Sequence, residues 1–458
     1  MRTSVVVVGA GPGGLAMSHY LTGVGIDHVL LERGEVGQSW RAERWDSLRL
    51  LTPNWMTALP GARYEGDDPD GYMTAGQTVA TLEAYRRSFD PPLHAGVEVQ
   101  TVCPMSPGFE VRTTEGSWRC DAVVAATGGS SEPRVPAIAE DLPSRVQQVT
   151  ALSYRRPAQI HGRGRVLVVG ASASGVQIAD ELRRAGRDVT ISVGEHVRLP
   201  RSYRGYDIYW WLDCIGQLDE RWNEVEDLAR ARRHASVQVV GSDDRKDVDL
   251  ACLQDLGVQL VGRLMALRDT TALCSGGLGS LVANADLKQA RLLRRIDDWV
   301  DEHGLADRTG PSTEPRATIP ASAPTELDLR GFAAVVWATG YRPAYHWLDR
   351  RAFDRRGRID HDGGVASTPG LYLLGLPFLR RRRSNLLAGL GVDAVELGDH
   401  LVGYLDHVAR GRAGTSSRYR CQPPTSARRV RSTISSTGQV APAASNCSER
   451  STPTESTS

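Results

Sequence analysis

The chain has 458 residues, of which 41% are hydrophobic and 24% charged, and its formal net charge at pH 7 is +1. This length allows several domains with large cores, and the near-neutral charge argues against a general role at nucleic acid or at a membrane surface. The seven cysteines include no C-x-x-C pair, which argues against a zinc ribbon and a dithiol redox centre, and no stretch approaches the roughly 18 apolar residues of a membrane span.

Four consecutive valines at positions 5–8 lead directly into a glycine-rich turn. A short apolar run of β-branched residues is typical of a buried parallel strand. The glycines that follow have the G-x-G-x-x-G spacing, in which one makes a tight turn, one lets a pyrophosphate approach the backbone and one lets the helix pack on the strand. The predicted turn, at a helix N-terminus that attracts phosphate, consists of Gly9, Gly11, Pro12, Gly13 and Gly14.

A second predicted strand at residues 28–31 ends in an acid, Glu32, eighteen positions beyond Gly14. An acid in this place accepts hydrogen bonds from a ribose hydroxyl in dinucleotide-binding units. Strand, glycine turn, helix, strand and acid together predict a dinucleotide site. The alternative is an ordinary βαβ unit with a glycine-rich loop.

Further along the chain, the periodicity of apolar residues predicts several other elements. Residues 97–102, 109–113 and 118–120 have the pattern of short strands that pair as a small sheet. Helices are predicted at residues 78–89, 286–303 and 385–408. Beyond about residue 411 the composition turns to Ser, Thr, Pro and Arg, which predicts disorder because such a segment buries too little apolar surface.

An internal repeat is the most informative feature of the chain. Apolar runs at residues 122–126 and 334–338 both end in Ala-Thr-Gly, and residues 165–175 form a second strand, turn and helix between them. The run at 371–375 has no other sheet to join than the first. The predicted fold is therefore α/β, with two Rossmann-like dinucleotide-binding domains, the second inserted into the first. The predicted segments are 1–155 and 326–410 for the first domain, 156–325 for the inserted domain, and a disordered tail at 411–458.

Two nucleotide units imply transfer between two cofactors. The first unit suits FAD, because a flavin needs a long trench and a returning C-terminal segment, and the second suits NADPH. The second turn is irregular, with serine in place of the middle glycine; it consists of Gly170, Ala171, Ser172, Ala173, Ser174 and Gly175. No acid ends its second strand, and the arginines that follow suit a 2′-phosphate: Arg198, Arg201 and Arg204. The alternative is a solvated basic face.

On these stretches, together with Trp40-Arg41, residues 50–53, residues 201–205 and Thr339-Gly340-Tyr341, the chain resembles the single-component flavin-dependent monooxygenases that hold both FAD and NADPH. These include flavin-containing monooxygenases, YUCCA-type enzymes and Baeyer–Villiger monooxygenases, and the resemblance runs from residue 5 to about residue 399. It implies reduction of the flavin by NADPH, reaction with O₂ to a C4a-hydroperoxide, and transfer of one oxygen atom to a small organic substrate.

The resemblance also implies site residues. The FAD residues would be the first turn together with Glu32, Arg33, Gln38, Ser39, Trp40, Arg41, Thr52, Thr127 and Gly128. The NADPH residues would be the second turn, the three arginines, Thr339 and Gly340. Thr52 and Asn54 are weak candidates for a catalytic role beside the flavin. No metal ligand is assigned, because the eleven histidines lack ligand spacing.

Three departures from the family pattern affect these expectations. Leu51 stands where flavin-containing monooxygenases usually have an asparagine beside the flavin, Thr150 stands at the histidine of the Phe-x-Gly-x-x-x-His fingerprint, and Ser172 breaks the second glycine pattern. A flavin oxidase or reductase that inserts no oxygen therefore remains an alternative, as does a non-catalytic nucleotide-binding redox sensor or transport regulator.

The remaining expectations concern setting and partners. The four arginines at 380–383 suggest a solvated loop or, alternatively, a contact to a substrate or cofactor phosphate. The partners expected are a small-molecule substrate and O₂, with no nucleic acid. A cytoplasmic monomer or homodimer is the simplest expectation.

Overall fold

The computed structural model describes residues 1–233, 236–314, 316, 318 and 322–416. Two largely parallel sheets form its framework. Their strands in chain order are β1 (Val5–Val8), β2 (His28–Glu32), β3 (Leu93–Ala95), β4 (Ala122–Ala125), β5 (Gln147–Thr150), β6 (Arg165–Val169), β7 (Val189–Ser192), β8 (Gln259–Val261), β9 (Phe332–Trp337), β10 (His361–Asp362), β11 (Val365–Ala366) and β12 (Leu371–Leu373). The helices are α1 (Pro12–Gly23), α2 (Gln38–Ala42), α3 (Ala75–Phe89), α4 (Ala173–Arg184), α5 (Ile208–Cys214), α6 (Leu228–Arg232), α7 (Leu250–Asp255), α8 (Leu278–Glu302) and α9 (Leu387–Ser416).

The first sheet has seven strands in the order β10-β11-β12-β4-β1-β2-β3. Strand β1 lies between β2 and β4, so that Val5 is in register with both His28 and Ala122. Strand β1 is covered on both faces and wholly buried, which is why its sequence is an unbroken apolar run. Strand β12 runs parallel to β4 and returns the chain to this sheet.

The second sheet has five strands in the order β5-β9-β6-β7-β8. The chain leaves the first sheet after β4, builds the second and returns, so the two-domain α/β fold with an inserted second unit is confirmed. Sheet membership differs from the predicted segment boundaries. Strands β5 and β9, which the boundaries at 155/156 and 325/326 assign to the first domain, pair with each other, and β9 pairs with β6. Val169 is in register with Trp337, which brings the second Ala-Thr-Gly to the second glycine turn.

The other predicted elements are present with shifted ends. The small antiparallel sheet consists of Val99–Pro104, Phe109–Thr113 and Gly116–Cys120. Helix α3 begins earlier than predicted because Thr74 and Gln77 form a capping box. Helix α9 continues to Ser416, so residues 411–416 of the predicted tail are helical, and the rest of the tail lies outside the described residues.

Shorter strands connect the two sheets to their surroundings. They pair as Ala58–Leu59 with Ala62–Arg63, Glu132–Pro133 with Tyr341–Arg342, Val197–Arg198 with Val237–Gln238, Ser202–Tyr203 with Tyr206–Asp207, and as the trio Leu264–Arg268, Thr271–Cys274 and Glu326–Asp328. Among the described residues, no helix has the length and apolar character needed to cross a bilayer.

The four consecutive arginines form an ion-pair network rather than a solvated loop or a phosphate contact. Each guanidinium meets a carboxylate, either on α9 or on the segment that links β7 to β8. The pairs are Arg380 with Glu396, Arg381 with Asp393 and Glu396, Arg382 with Glu220, and Arg383 with Asp213 and Asp219. This ion-pair network joins the inserted unit to the last helix of the first unit.

Candidate dinucleotide-binding sites

The first glycine turn follows β1 at the carboxyl edge of the first sheet. Gly9 has a φ of +101°, and a Cβ there would lie 2.9 Å from the carbonyl oxygen of Ala126. A Cβ on Gly14 would lie 1.8 Å from the carbonyl oxygen of Gly9, so only glycine lets α1 pack against the turn. Gly11 is different, since no described protein atom lies within 4 Å of the place its Cβ would take. The space beside Gly11 is therefore free for a ligand.

A cavity of about 280 Å³ opens beside this turn. Most of the residues predicted to hold FAD line it, namely Gly9, Gly11, Pro12, Gly13, Glu32, Arg33, Gln38, Ser39, Trp40, Thr127 and Gly128. The Oγ1 atom of Thr127 is buried and has no hydrogen-bond partner in the part of the chain that the structure describes. A buried polar atom without a partner costs free energy unless a ligand or water satisfies it, so the cavity fits a polar ligand.

Glu32 is held in place by the turn itself. One carboxylate oxygen accepts the N–H of Ala10 at 2.8 Å and the other accepts the N–H of Gly34 at 2.9 Å. An ionised carboxylate has about four acceptor positions, so these two bonds orient Glu32 and leave capacity for a ribose hydroxyl. The buried end of β2 thus presents an acid at the wall of the first cavity, and its contact with a ribose remains a prediction.

Three residues predicted for the flavin side, Arg41, Thr52 and Asn54, are not among those that line this cavity. Arg41 donates to the carbonyl of Val36 at 3.0 Å and forms ion pairs with the carboxylates of Glu35 and Glu83. Thr52 is buried, with 7% of its surface exposed. The amide of Asn54 donates to the carbonyl of Asp68 at 2.9 Å, while its Oδ1 has no partner among the described residues.

The second glycine turn reproduces the first at the carboxyl edge of the second sheet. Gly170 has a φ of +112°, and Cβ atoms on Gly170 and Gly175 would lie 2.3 Å and 1.9 Å from backbone oxygens. Ser172 has φ −84° and ψ −176°, almost the backbone conformation of Gly11 at φ −76° and ψ −176°. That conformation suits any residue, which explains why serine is tolerated there. Ser172 makes no capping hydrogen bond to helix α4 within the described structure.

The other residues of this turn contact neighbouring segments. The buried amide of Gln238 donates to the carbonyl of Ala171 at 2.5 Å, and Ala173 is buried at the start of α4. The Ser174 and Tyr341 hydroxyls lie 3.0 Å apart. Thr339 donates to the carbonyl of Arg134, and Gly340, with φ +92°, accepts the N–H of Arg134 at 2.9 Å.

The three arginines predicted to meet a 2′-phosphate are instead paired with carboxylates. Arg198 is buried and lies 2.7 Å from Asp249 and 2.9 Å from Asp286, and burial is the largest influence on its pKa, though these acids outweigh it and raise that pKa. Arg201 pairs with Asp207 at 2.6 Å, and Arg204 pairs with Asp297 at 2.7 Å. Guanidiniums committed to internal acids are not available to a phosphate, so this cationic cluster does not support the prediction.

Several residues that were not predicted as site residues line the first cavity or approach the second turn. They are Glu43, Arg44, Ser130, Ser131, His346, Trp347 and Asn385 at the cavity, and Gln238 and Tyr341 at the second turn. Arg44 lies close to the predicted pair Trp40-Arg41, and Asn385 lies two residues before α9, so position in the sequence is a signal for these two. Gln238 carries no such signal.

Two parallel sheets, each with a glycine turn at its carboxyl edge, define an oxidoreductase architecture for two dinucleotides. The chain belongs to the pyridine nucleotide-disulphide oxidoreductase family, whose profile matches residues 6–244. The resemblance to flavin-dependent monooxygenases is confirmed by the curated relatives and by the fold of solved structures.

Among curated proteins, the chain is 32% identical over 393 residues to the uncharacterized oxidoreductase CzcO-like of Geobacillus kaustophilus, covering 85% of this chain and 95% of that protein. It is 34% identical over 223 residues to indole-3-pyruvate monooxygenase YUCCA6 of Arabidopsis thaliana, covering 44% of this chain and 51% of that protein. Its fold matches that of the flavin-containing monooxygenase from Stenotrophomonas maltophilia with a TM-score of 0.62 at 22% identity, over 88% of this chain and 99% of that one.

Proposed function

We propose that this protein is an FAD- and NADPH-dependent monooxygenase that inserts one oxygen atom of O₂ into a small organic molecule. The observation that carries the proposal is the pair of glycine turns with the same backbone geometry on two sheets of one chain. The relation to a protein named indole-3-pyruvate monooxygenase supports oxygen insertion as the reaction class. NADPH would transfer a hydride to FAD across the space between the two turns.

The residues of the first cavity fit FAD. Gly11 leaves room for the pyrophosphate, Glu32 would accept hydrogen bonds from a ribose hydroxyl, and Trp40 lines the wall towards the second unit. Bound FAD supplies hydride acceptance and activation of O₂, while the protein positions the reactants and excludes water. The free space at Gly11 and the unpartnered hydroxyl of Thr127 are the structural features that match such a ligand.

For the second cofactor, the N-terminus of α4 and the hydroxyl of Ser172 would face the pyrophosphate of NADPH. Because the three predicted arginines are paired with carboxylates, the preference for NADPH over NADH is proposed to depend on a different arginine. Arg263 is exposed just beyond β8, and its guanidinium nitrogens lie 3.7 Å from the place of a Cβ on Gly194, just beyond β7. An arginine at this edge can accommodate a 2′-phosphate.

A flavin-dependent NADPH oxidase is the second candidate. The observation that favours it is the environment of residues 51–54, where Leu51 offers no amide and the amide N–H of Asn54 is donated to the carbonyl of Asp68. An oxygen intermediate would then have fewer hydrogen bonds from this segment, and hydrogen peroxide would be released.

Anaerobic reduction with NADPH, followed by mixing with ¹⁸O₂ and a panel of amines, sulfides and ketones, tests these candidates. We expect bleaching of a yellow protein and a product heavier by one ¹⁸O atom. Hydrogen peroxide formed in equal amount to NADPH consumed, with every substrate unchanged, would support the oxidase. A colourless protein that takes up no FAD would contradict both and favour a non-catalytic nucleotide-binding protein.

A further inference from the structure

Arg44 is a cation without a carboxylate partner at the wall of the flavin cavity. It lines the cavity, and its Nη1 donates to the carbonyl of its neighbour Glu43 at 2.7 Å. The carboxylate of Glu43 is itself paired with Arg33 at 2.6 Å. In the part of the chain covered by the structure, no carboxylate oxygen lies within ion-pair distance of Arg44. The nearby Arg33 and Arg41 are both paired with carboxylates, so Arg44 differs from them.

The surroundings of Arg44 make its isolation costly. Burial is the largest influence on the pKa of Arg44 and lowers it; the charges of Tyr341 and Glu43 oppose this shift without reversing it, and the nearby charge of Arg155 adds to it. Arg155 reaches the same segment, because its Nη1 lies 3.3 Å from the carbonyl of Arg44. A half-buried guanidinium with a second guanidinium nearby is stabilised by an anion, and planar guanidinium groups bind phosphate oxygens with two parallel hydrogen bonds.

Arg44 also points to the second glycine turn. Its Cζ lies 5.8 Å from the centre of the Tyr341 ring, and the Tyr341 hydroxyl lies 3.0 Å from the Ser174 hydroxyl. Ser174 is in the first turn of α4, whose N-terminal N–H groups attract phosphate. Arg44, Tyr341 and Ser174 therefore form a continuous path from the flavin cavity to the place where the second dinucleotide would dock.

We propose that Arg44, which belongs to the flavin-binding unit, binds the pyrophosphate of the nicotinamide dinucleotide docked at the second glycine turn. This inference rests on the proposed function, because it requires that dinucleotide. If this inference is right, the flavin-binding unit contributes to the nicotinamide site. A residue beside the flavin cavity would then help to bind the second cofactor. An anionic oxygen group could also come from FAD or from an acidic substrate, and the test separates these sources.

The test compares purified FAD-loaded wild-type protein with Arg44→Gln, Arg44→Lys and the control Arg342→Gln. Arg342 is an exposed arginine next to Tyr341 that is paired with Glu132. NADP⁺ is titrated into oxidised protein by calorimetry, and FAD content is read from flavin absorbance. We expect Arg44→Gln to raise the Kd for NADP⁺ about 10- to 100-fold, as for a lost charge-assisted hydrogen-bond pair. Arg44→Lys should fall between, and the control should stay within twofold of wild type.

The outcomes that overturn the inference are distinct. Unchanged NADP⁺ affinity in Arg44→Gln overturns the inference. If that variant instead shows a raised KM for an acidic substrate, the anion that binds Arg44 belongs to the substrate. Loss of FAD with unchanged NADP⁺ affinity would show that Arg44 binds the phosphates of FAD. A wild-type protein that keeps FAD yet binds neither NADP⁺ nor NAD⁺ overturns the proposed function and this inference together. Should Arg44→Gln fail to fold, Arg44→Lys decides on the same measurements.

Discussion

Nη1 of Arg381 lies 2.7 Å from Oδ1 of Asp393, and the two side chains are 8% and 0% exposed. The same guanidinium also contacts Glu396, which in turn accepts from Arg221 and Arg380. Arg221 belongs to the inserted unit and Glu396 to α9, so this network holds the two units together. Removing one partner of a buried ion pair is strongly destabilising, because it leaves the other charge uncompensated.

Glu396 makes this network sensitive to acid. Burial alone would raise its pKa, but hydrogen bonds from Arg221, Arg381 and Arg380 outweigh burial and lower that pKa from about 4.5 to about 2. An acid whose pKa is lower in the folded state contributes stability above its unfolded pKa and loses that contribution as the pH falls towards the folded value. The contribution lost between about pH 5 and pH 2 is at most about 3 kcal/mol.

We therefore predict that Glu396→Gln lowers the urea midpoint of the FAD-loaded protein at pH 7, and that the difference from wild type shrinks between pH 5 and pH 3. Glu302→Gln, which alters an exposed glutamate at the end of α8, is the matched control and should have no effect. A difference that stays constant across this pH range would mean that the charge of Glu396 does not stabilise the fold.

Hydrogen bonds from a second ion pair, which lies within the inserted unit, reach the first unit beside the residues predicted to lie near the flavin. Arg201 donates to the carbonyl of Leu51 at 2.8 Å and pairs with Asp207, whose other oxygen accepts the Tyr72 hydroxyl at 2.6 Å. Tyr72→Phe removes one hydrogen bond from a charged acceptor, and we predict a loss of about 2 kcal/mol in the free energy of unfolding.

The measurement for Tyr72→Phe is equilibrium unfolding in urea, with flavin content as the check that the cavity is intact. Tyr64→Phe is the control, since the structure records no hydrogen bond for the Tyr64 hydroxyl in the described residues. Equal stability of Tyr72→Phe and Tyr64→Phe would show that Asp207 is satisfied without the tyrosine.

Local patterns accounted for the parts of the fold that depend on neighbouring residues. Burial, turn conformation and strand spacing each produce a pattern within a short stretch of sequence. This is why we could predict the four valines of β1, the two glycine turns and Glu32. The insertion was predictable because the second unit interrupts a repeat.

Partners that are distant in the sequence were not predictable. Arg198 meets Asp249 and Asp286, and Arg204 meets Asp297, so a run of arginines that looked free for a phosphate is committed to acids from elsewhere in the chain. Arg44 was missed because its neighbour Tyr341 lies almost three hundred residues further along the chain, in a short strand paired with Glu132–Pro133. Ion pairing depends on tertiary contacts that no local spacing reports.

The open space at Gly11 leads to a prediction about the first cofactor. Its backbone conformation suits alanine, and no described atom lies within 4 Å of the new methyl group, so Gly11→Ala should fold normally. The methyl group would occupy the space of the FAD pyrophosphate, and we predict purification as apo-protein with at least tenfold less flavin. Gly23→Ala, at the other end of α1 and equally unobstructed, should keep its flavin. A Gly11→Ala protein with full flavin content would contradict the assignment of FAD to this turn.

Ser172 occupies the equivalent place in the second turn, and its substitution should act on the second cofactor alone. Because its hydroxyl makes no capping bond in the described structure, it is available to a phosphate, and Ser172→Gly should raise the KM for NADPH about three- to tenfold, as for one lost hydrogen bond. Flavin content should be unchanged. Ser172→Ala separates hydroxyl from bulk, because it removes only the hydroxyl and should raise the KM equally if that bond matters. A KM that falls in Ser172→Gly and not in Ser172→Ala would instead show that the side chain keeps the pyrophosphate away from the backbone. Steady-state NADPH oxidation with both variants, alongside flavin absorbance, distinguishes these outcomes.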